Sequence, residues 1–374
     1  MKRLLIGVAK ALLLAWYELC CLLPSKDRIL CLSRQQDSEP LDFQLVRSCV
    51  EREHPGWEVV ILAKTLGSNV IPYGFHMLKQ LRLAATSRAV LLDSYAIGIS
   101  LLAGHIKVPV VQMWHAMGNM KRFGYTSLGS GGESRSPESA RLLNMHKGYT
   151  SVLISSMSFV DDYAAGFGCD PAIIYEAPLP KTDLLLSAQN RRRQRSAVLE
   201  AYPQLKGKKV IVYAPTFRRQ DPSNMEQAMQ ALVGAVDFER YALLYQPHPV
   251  STQRIRDARV VENRNPQLNG LYAADYVISD YSTVIYEAGL LEVPVFLYAY
   301  DWDEYHDRRS LNIGIETEVP TLFTADAGQI MAAIESDSFD AQAYQRFIAR
   351  NVALPAQGSC TQRVVEHVFS LMAR

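Results

Sequence analysis

The stretch from Ala274 to Tyr305, ADYVISDYSTVIYEAGLLEVPVFLYAYDWDEY, gathers residue types that hold a diphosphate. A short apolar run ends at Asp280, and Ser282 and Thr283 follow where a helical pattern begins. Two hydroxyls beside the free backbone amides of a helix start make an anion site. Glu287 stands one helical turn beyond Thr283 on the same face, where a carboxylate can reach ribose hydroxyls. Asp280 by itself reads as a helix cap, but capping does not account for the Ser-Thr pair and Glu287 together.

Three further stretches carry related chemistry. VIVYAPTFRR, Val210 to Arg219, ends an apolar run and delivers Thr216 and Arg218 just past Pro215. A hydroxyl and a forked guanidinium at a strand's end suit phosphate oxygens. In YQPHP, Tyr245 to Pro249, two prolines fix the backbone around His248, and an imidazole so held can donate to a diphosphate. An isolated His-Pro pair reads more plainly as a turn. VPVVQMWHAMGNMKRFG, Val108 to Gly124, carries Trp114 and His115 into a loop, with Lys121 further on and Gly124 closing the turn. A histidine's free pKa lies near neutrality, which suits a general base, although a lone histidine after a strand also serves structure.

Such residues need strands to deliver them. Apolar runs at 28–33, 58–63, 89–93, 108–114, 151–155, 209–214, 241–246, 258–262, 276–279 and 294–299 show no clean alternation, as expected of parallel strands buried on both faces. Amphipathic stretches at 41–53, 137–146, 190–202, 225–233 and 283–291 lie between them. Strand alternating with helix predicts doubly wound α/β sheets. The proline-containing and then basic segment around 178–195 marks a boundary, giving two α/β domains, 26–183 and 184–374, facing a cleft. Ser127 to Ser136 (SLGSGGESRS) reads either as a flexible lid or as an ordinary surface loop.

Residues 1–25 are set apart as an apolar helix. Residues 4–23 are strongly apolar, but Lys10 and Glu18 interrupt them, which makes a poor membrane span. A helix lying on the membrane surface, with Trp16 and Tyr17 at the interface, competes with a helix packed on its own domain. Over the whole chain, 39 basic side chains against 38 acidic ones leave a net charge of +1, which argues against nucleic acid as a partner. The six cysteines form no C-x-x-C pair, so neither a zinc site nor a disulfide framework is expected.

In combination these motifs resemble the CDP-glycerol glycerophosphotransferase family, which builds teichoic-acid-type polymers. The resembling elements run in order through Gln112–Ala116, Tyr213–Arg218, His248–Pro249, Asp280–Thr283 with Glu287, and Pro294, Tyr298, Asp301 and Tyr305. The N-terminal helix leading into a strand that ends in Ser33 and Arg34 is similar as well. The resemblance implies a glycosyltransferase-B type fold, with 26–183 on the acceptor side and 184–374 binding the CDP donor. It implies His115 as the base and His248, Ser282 and Thr283 on the donor pyrophosphate, Arg218 assisting and Glu287 near the ribose. Trp114, Lys121, Lys181 and Asp183 fall on its acceptor side. Departures are His115-Ala116-Met117 for the family's H-G-T, Lys181 for an arginine, and Arg308-Arg309-Ser310 for R-G.

The implied reaction moves a polyol phosphate, glycerol phosphate first, from CDP-glycerol or CDP-ribitol to a hydroxyl of a lipid-linked glycan acceptor. CMP leaves, and the protein works at the cytoplasmic face of the cell membrane. No cofactor is expected, the CDP-alcohol being a substrate, and Mg²⁺ at Asp280, Asp301 or Asp303 stays open. The rival readings are a nucleotide-sugar glycosyltransferase of the same fold and an inactive membrane-surface binding protein.

Overall fold

The computed structural model describes residues 2–67, 70–129, 136–218, 222–248, 251, 253–308 and 310–373. Arg219, Pro249, Arg309 and most of the Ser127–Ser136 segment lie outside the described residues. The chain divides into two compact units, and the division departs from the expected one in three places. The first unit runs to Met117, resumes at Arg122–Asp183 and takes back Val352–Arg374; the second holds Gly118–Lys121 and Leu184–Asn351.

The first unit is built on a six-stranded parallel sheet in the order β2-β1-β3-β4-β5-β6. Its strands are β1 (Arg28–Ser33), β2 (Glu58–Ala63), β3 (Ala89–Leu92), β4 (Val110–Gln112), β5 (Ser151–Ile154) and β6 (Ile174–Glu176). The second unit repeats the plan in the order β12-β11-β10-β7-β8-β9. Here β7 is Lys209–Tyr213, β8 Tyr241–Tyr245, β9 Val261–Glu262, β10 Tyr276–Ser279, β11 Val295–Tyr298 and β12 Phe323–Thr324. Every residue of β1, β3, β5 and β8 is buried, which explains their continuous apolar sequence. The fold class is the expected one, two doubly wound α/β units.

The N-terminal helix, Lys2–Cys20, belongs to the first unit rather than standing apart. Leu13, Tyr17 and Cys20 are buried against it, and the Tyr17 hydroxyl accepts from the Lys107 amide at 3.0 Å. Tyr17 is therefore a core residue, not an interfacial one. Trp16 is half-buried and donates its Nε1–H to the Leu78 carbonyl at 3.0 Å. The opposite face leaves Leu4, Leu5, Val8 and Leu12 exposed. Among the described residues, no helix is long and apolar enough to cross a membrane.

The last helix, Cys360–Met372, also packs with the first unit. Asp183 holds its start: one carboxylate oxygen accepts from the Cys360 amide at 2.8 Å, and the other from the Thr361 amide and hydroxyl at 2.9 and 2.5 Å. Three donors on one carboxylate make a helix anchor.

Candidate active site

A doubly wound sheet binds its ligands where the strand order reverses, beyond the carboxyl ends of the two strands on either side of the reversal. In the second unit that point lies between β7 and β10. Thr216 and Arg218 follow β7, and Asp280, Ser282 and Thr283 follow β10, so the fold collects both motifs at one place. Asp280 is buried and accepts from the Thr216 amide at 2.8 Å, tying the two strand ends together. Among the described residues, the buried Thr216 side-chain hydroxyl has no hydrogen-bond partner.

In place of the expected phosphate fork, Arg218 shows a guanidinium committed to protein oxygens. Its Nε and Nη2 donate to Asp301 at 2.6 and 2.9 Å, Nη2 also to Asp280 at 2.9 Å, and Nη1 to the Thr216 carbonyl at 2.6 Å. Tyr281, Tyr300 and Tyr305 rings surround it, with the Tyr305 centroid 4.9 Å away. Burial works against the charge, but the Asp280 and Asp301 carboxylates outweigh it and hold the Arg218 pKa above its ordinary value. Of the three acids that sequence leaves open to Mg²⁺, Asp280 and Asp301 are thus paired with an arginine. Among the described residues no cluster of three His, Cys, Asp or Glu stands ready for a metal.

The helix after Thr283 is short, Val284–Leu290, so its macrodipole is small and local amides and hydroxyls carry the anion-binding capacity. Ser282, Thr283, Val284 and Glu287 are its half-exposed residues, while Ile285, Tyr286 and Ala288–Leu290 are buried. The two hydroxyls and the carboxylate are all partly accessible at this helix start. His248, after β8, is exposed and its ring stacks on Phe217 with centroids 5.9 Å apart. Partial burial, with the Lys121 charge adding to it, lowers the His248 pKa.

Lys121 stands with the second unit, not with the acceptor-side residues. Lys121 bridges to Leu311 in antiparallel fashion, and the Asn312 amide donates to the Met120 carbonyl at 3.0 Å. The Asn312 side chain donates to Asn119 Oδ1 at 2.7 Å. Gly118 permits this approach: its φ is +68°, and a Cβ would lie 2.3 Å from the Tyr286 ring. The Lys121 ammonium is 5.7 Å from the Tyr305 ring centroid.

In the first unit the order reverses between β1 and β3, with β4 next to β3. Trp114, just past β4, adopts φ +61°, a left-handed conformation rare for a bulky residue. Its amide donates to Gln112 Oε1 at 2.9 Å, and its ring packs 4.9 Å from Phe123 and 5.2 Å from Phe167. That sharp turn presents His115. His115 keeps part of its ring open to solvent within otherwise dense protein surroundings, and its Nδ1 lies 2.9 Å from the Asp93 carbonyl oxygen and 3.2 Å from Gln35 Nε2. Desolvation lowers its pKa to about 4; the hydrogen bond to Asp93 opposes this, and the Lys181 charge adds to it. Lys181 thus lies within electrostatic reach of the base, its own amide donating to Asp42 Oδ1 at 2.7 Å. Asp183, by contrast, is spent on the last helix.

Sequence reasoning passed over Arg34, Gln35 and Asp93 as site residues. All three stand at or just past the carboxyl ends of β1 and β3, the position that strand order singles out. Asp93 is the first polar side chain after the apolar run of β3, and Arg34 and Gln35 follow Ser33 at the end of β1.

A family model described as CDP-Glycerol:Poly(glycerophosphate) glycerophosphotransferase matches residues 16–370 of this chain. The chain belongs to that family. It is an enzyme that transfers polyol phosphate from a CDP-alcohol in wall-polymer synthesis. It is 26% identical to the teichoic acid ribitol-phosphate primase of Bacillus spizizenii, covering 100% of this chain and 99% of that one. It is 28% identical to the teichoic acid poly(ribitol-phosphate) polymerase of the same organism, over 76% of this chain and 47% of the polymerase. The structure of the wall teichoic acid polymerase TagF superposes with a TM-score of 0.74 at 15% identity, covering 100% of this chain and 98% of that one, a likeness of fold.

Proposed function

We propose that the acceptor is lipid-linked, that the protein works on the cytoplasmic face of the membrane, and that residue roles divide by unit. In the second unit, Ser282, Thr283 and the Thr216 hydroxyl hold the donor diphosphate. His248 donates to it, and Glu287 takes ribose hydroxyls. Arg218, Asp280 and Asp301 fix the two strand ends that carry those groups. In the first unit His115 is the base, taking the proton of the acceptor hydroxyl. The oxygen attacks the phosphorus bearing the polyol, that phosphorus–oxygen bond forms, the bond to CMP breaks, and the electron pair leaves with CMP.

The observation that carries this reading is the collection of Thr216, Asp280, Ser282 and Thr283 at the second unit's reversal of strand order. No resident cofactor is called for, since the CDP-alcohol brings the reactive phosphate. The membrane assignment is supported by the exposed apolar face of the N-terminal helix. Phe75 and Ile71 on the adjoining helix Val70–Ala85 are 71% and 68% exposed and extend that apolar surface.

The test is CMP release by the full chain with CDP-glycerol, CDP-ribitol and a UDP-sugar, with and without a lipid-linked glycan. Acceptor-dependent CMP release from a CDP-alcohol is expected, the better donor identifying the polyol. Absence of CMP with both CDP-alcohols would overturn the assignment.

A further inference from the structure

Arg34 follows β1 at the first unit's reversal of strand order, between the ends of β1 and β3. Its backbone amide donates to the Ser94 hydroxyl at 3.0 Å, next to Asp93, whose carbonyl holds His115. The neighbouring residue, Gln35, contacts the His115 ring itself. Arg34 therefore lies beside the base in chain position and in space.

Its guanidinium has no ionic partner among the described residues. Nε and Nη1 are shielded from solvent and make no well-aligned hydrogen bond among the described residues, and the Tyr95 ring centroid lies 5.4 Å from Cζ. Asp93 does not pair with it: that carboxyl is buried, one oxygen is unpartnered, and burial raises its pKa to about 6. Around the same point the buried Tyr73 hydroxyl and Gln80 carbonyl oxygen lie close to each other and to Arg34, without a well-aligned hydrogen bond among the described residues. Burial raises the Tyr73 pKa, and the Arg34 charge offsets part of that rise, which puts the two groups in reach of each other. A partly shielded guanidinium without a counter-anion is costly, and a neutral phenol beside it does not balance its charge. Such a constellation is complementary to an oxyanion with several acceptor oxygens, the geometry a guanidinium binds best.

We infer that Arg34 is the seat of a phosphate group carried by the acceptor, close to the hydroxyl that His115 activates. The inference rests on the proposed base role of His115 and deepens it: the acceptor is recognised as a phosphate-bearing molecule, not as a neutral glycan. The phosphate has two chemical sources, a polyol phosphate already at the chain end or the phosphate joining the glycan to its lipid.

The experiment uses the full chain, wild type and Arg34→Met, with Arg34→Lys as a second variant. Glycerol 1-phosphate is titrated against the thermal transition. It raises the wild-type Tm, raises that of Arg34→Lys less and leaves that of Arg34→Met unmoved, while CDP-glycerol shifts all three alike. Without ligand, Arg34→Met melts close to wild type, because no ion pair is lost. CMP release is then followed with three soluble acceptors: a glycan without phosphate, its glycosyl phosphodiester, and a glycan ending in a polyol phosphate. Arg34→Met raises the acceptor KM on the order of 10- to 100-fold for the phosphate-bearing acceptor that uses the seat and leaves the phosphate-free one unchanged. The affected acceptor names the source. An equal KM change for all three acceptors, no change for any, or a change in the CDP-glycerol shift instead would overturn the inference. Wild type that releases no CMP sinks the transferase reading alone, because the glycerol 1-phosphate titration still reads Arg34.

Discussion

The Nδ1 atom of His115 lies 2.9 Å from the backbone carbonyl oxygen of Asp93. A carbonyl only accepts, so Nδ1 carries the proton and Nε2 keeps its lone pair. The Gln35 amide at 3.2 Å from the same nitrogen is then satisfied with its oxygen turned toward the ring. The fold has thus set the tautomer a base requires. Replacing His115 with Ala is expected to lower transfer by about 10²- to 10⁴-fold while CDP-glycerol still raises the Tm. Near-normal turnover in that variant would remove the base from the mechanism.

The same histidine makes a signed prediction about pH. Its pKa falls from near 6.5 to about 4 on folding, first through desolvation. Between those values the unfolded chain binds the extra proton, so stability rises with pH through that window and this contribution is flat above it. Nuclear magnetic resonance of ring-labelled histidine should find His115 neutral, as the Nδ1–H tautomer, at pH 6. A titration midpoint at or above 6.5 would contradict the assigned environment.

Arg218 tests whether a motif arginine touches substrate or holds the site. Its side chain is 8% exposed, and its partners Asp280 and Asp301 are 1% and 10% exposed. Removing the cation leaves two buried carboxylates without compensation, a loss of about 3–5 kcal/mol. Arg218→Ala is expected to lower the urea midpoint of the second unit strongly, and Arg218→Lys to recover only part, since an ammonium cannot span both acids in the same fork. Unchanged stability with a raised CDP-glycerol KM would return Arg218 to the role of direct phosphate ligand.

How much of this was legible in the sequence follows from where each signal resides. Strands such as 28–33 and 276–279 were readable because burial on both faces writes an unbroken apolar run. The short edge strands β6 and β12 carry too few residues to show any pattern. The helix start beside Ser282 and Thr283, with Glu287 inside the helix, was legible because an apolar run there gives way to a helical pattern. The protein partners of Arg218 and Asp183 were not legible, because composition at a strand or helix end does not reveal which groups a side chain will meet. Arg34 and Asp93 became visible only through strand order, which is a property of the sheet and not of either segment.

Asp183 should therefore behave as a structural residue. Its three contacts tie the start of the helix Cys360–Met372 to the first unit. Asp183→Ala removes a cap that accepts two amides, at a cost of about 1–2 kcal/mol. Hydrogen exchange should quicken throughout that helix while the acceptor KM stays put. A rise in KM without faster exchange would favour the acceptor-side role.

The apolar face of the N-terminal helix makes a binding prediction. Leu4 and Leu12 are 73% and 67% exposed, so replacing both with Glu disturbs no core contact. Sedimentation with vesicles containing anionic lipid should show binding by the wild-type chain and its loss in the double variant, with folding intact by circular dichroism. Equal binding by both proteins would rule this face out as the attachment surface.

Lys121 and His248 form the last testable pair. The ammonium, 5.7 Å from the Tyr305 centroid, adds to partial burial in lowering the His248 pKa. At neutral pH the imidazole accordingly carries less positive charge than a free one would, and Lys121 supplies positive charge to the donor site. In Lys121→Met that charge is lost, but the His248 pKa moves upward because the repulsion is gone. The two effects oppose each other on acidification: at pH 8 the variant lacks the cation outright, whereas near pH 6 a growing fraction of imidazolium replaces it. The ratio of variant to wild-type CDP-glycerol KM should therefore be larger at pH 8 than at pH 6. A ratio that does not change with pH would show that the two side chains are not electrostatically coupled at the bound diphosphate.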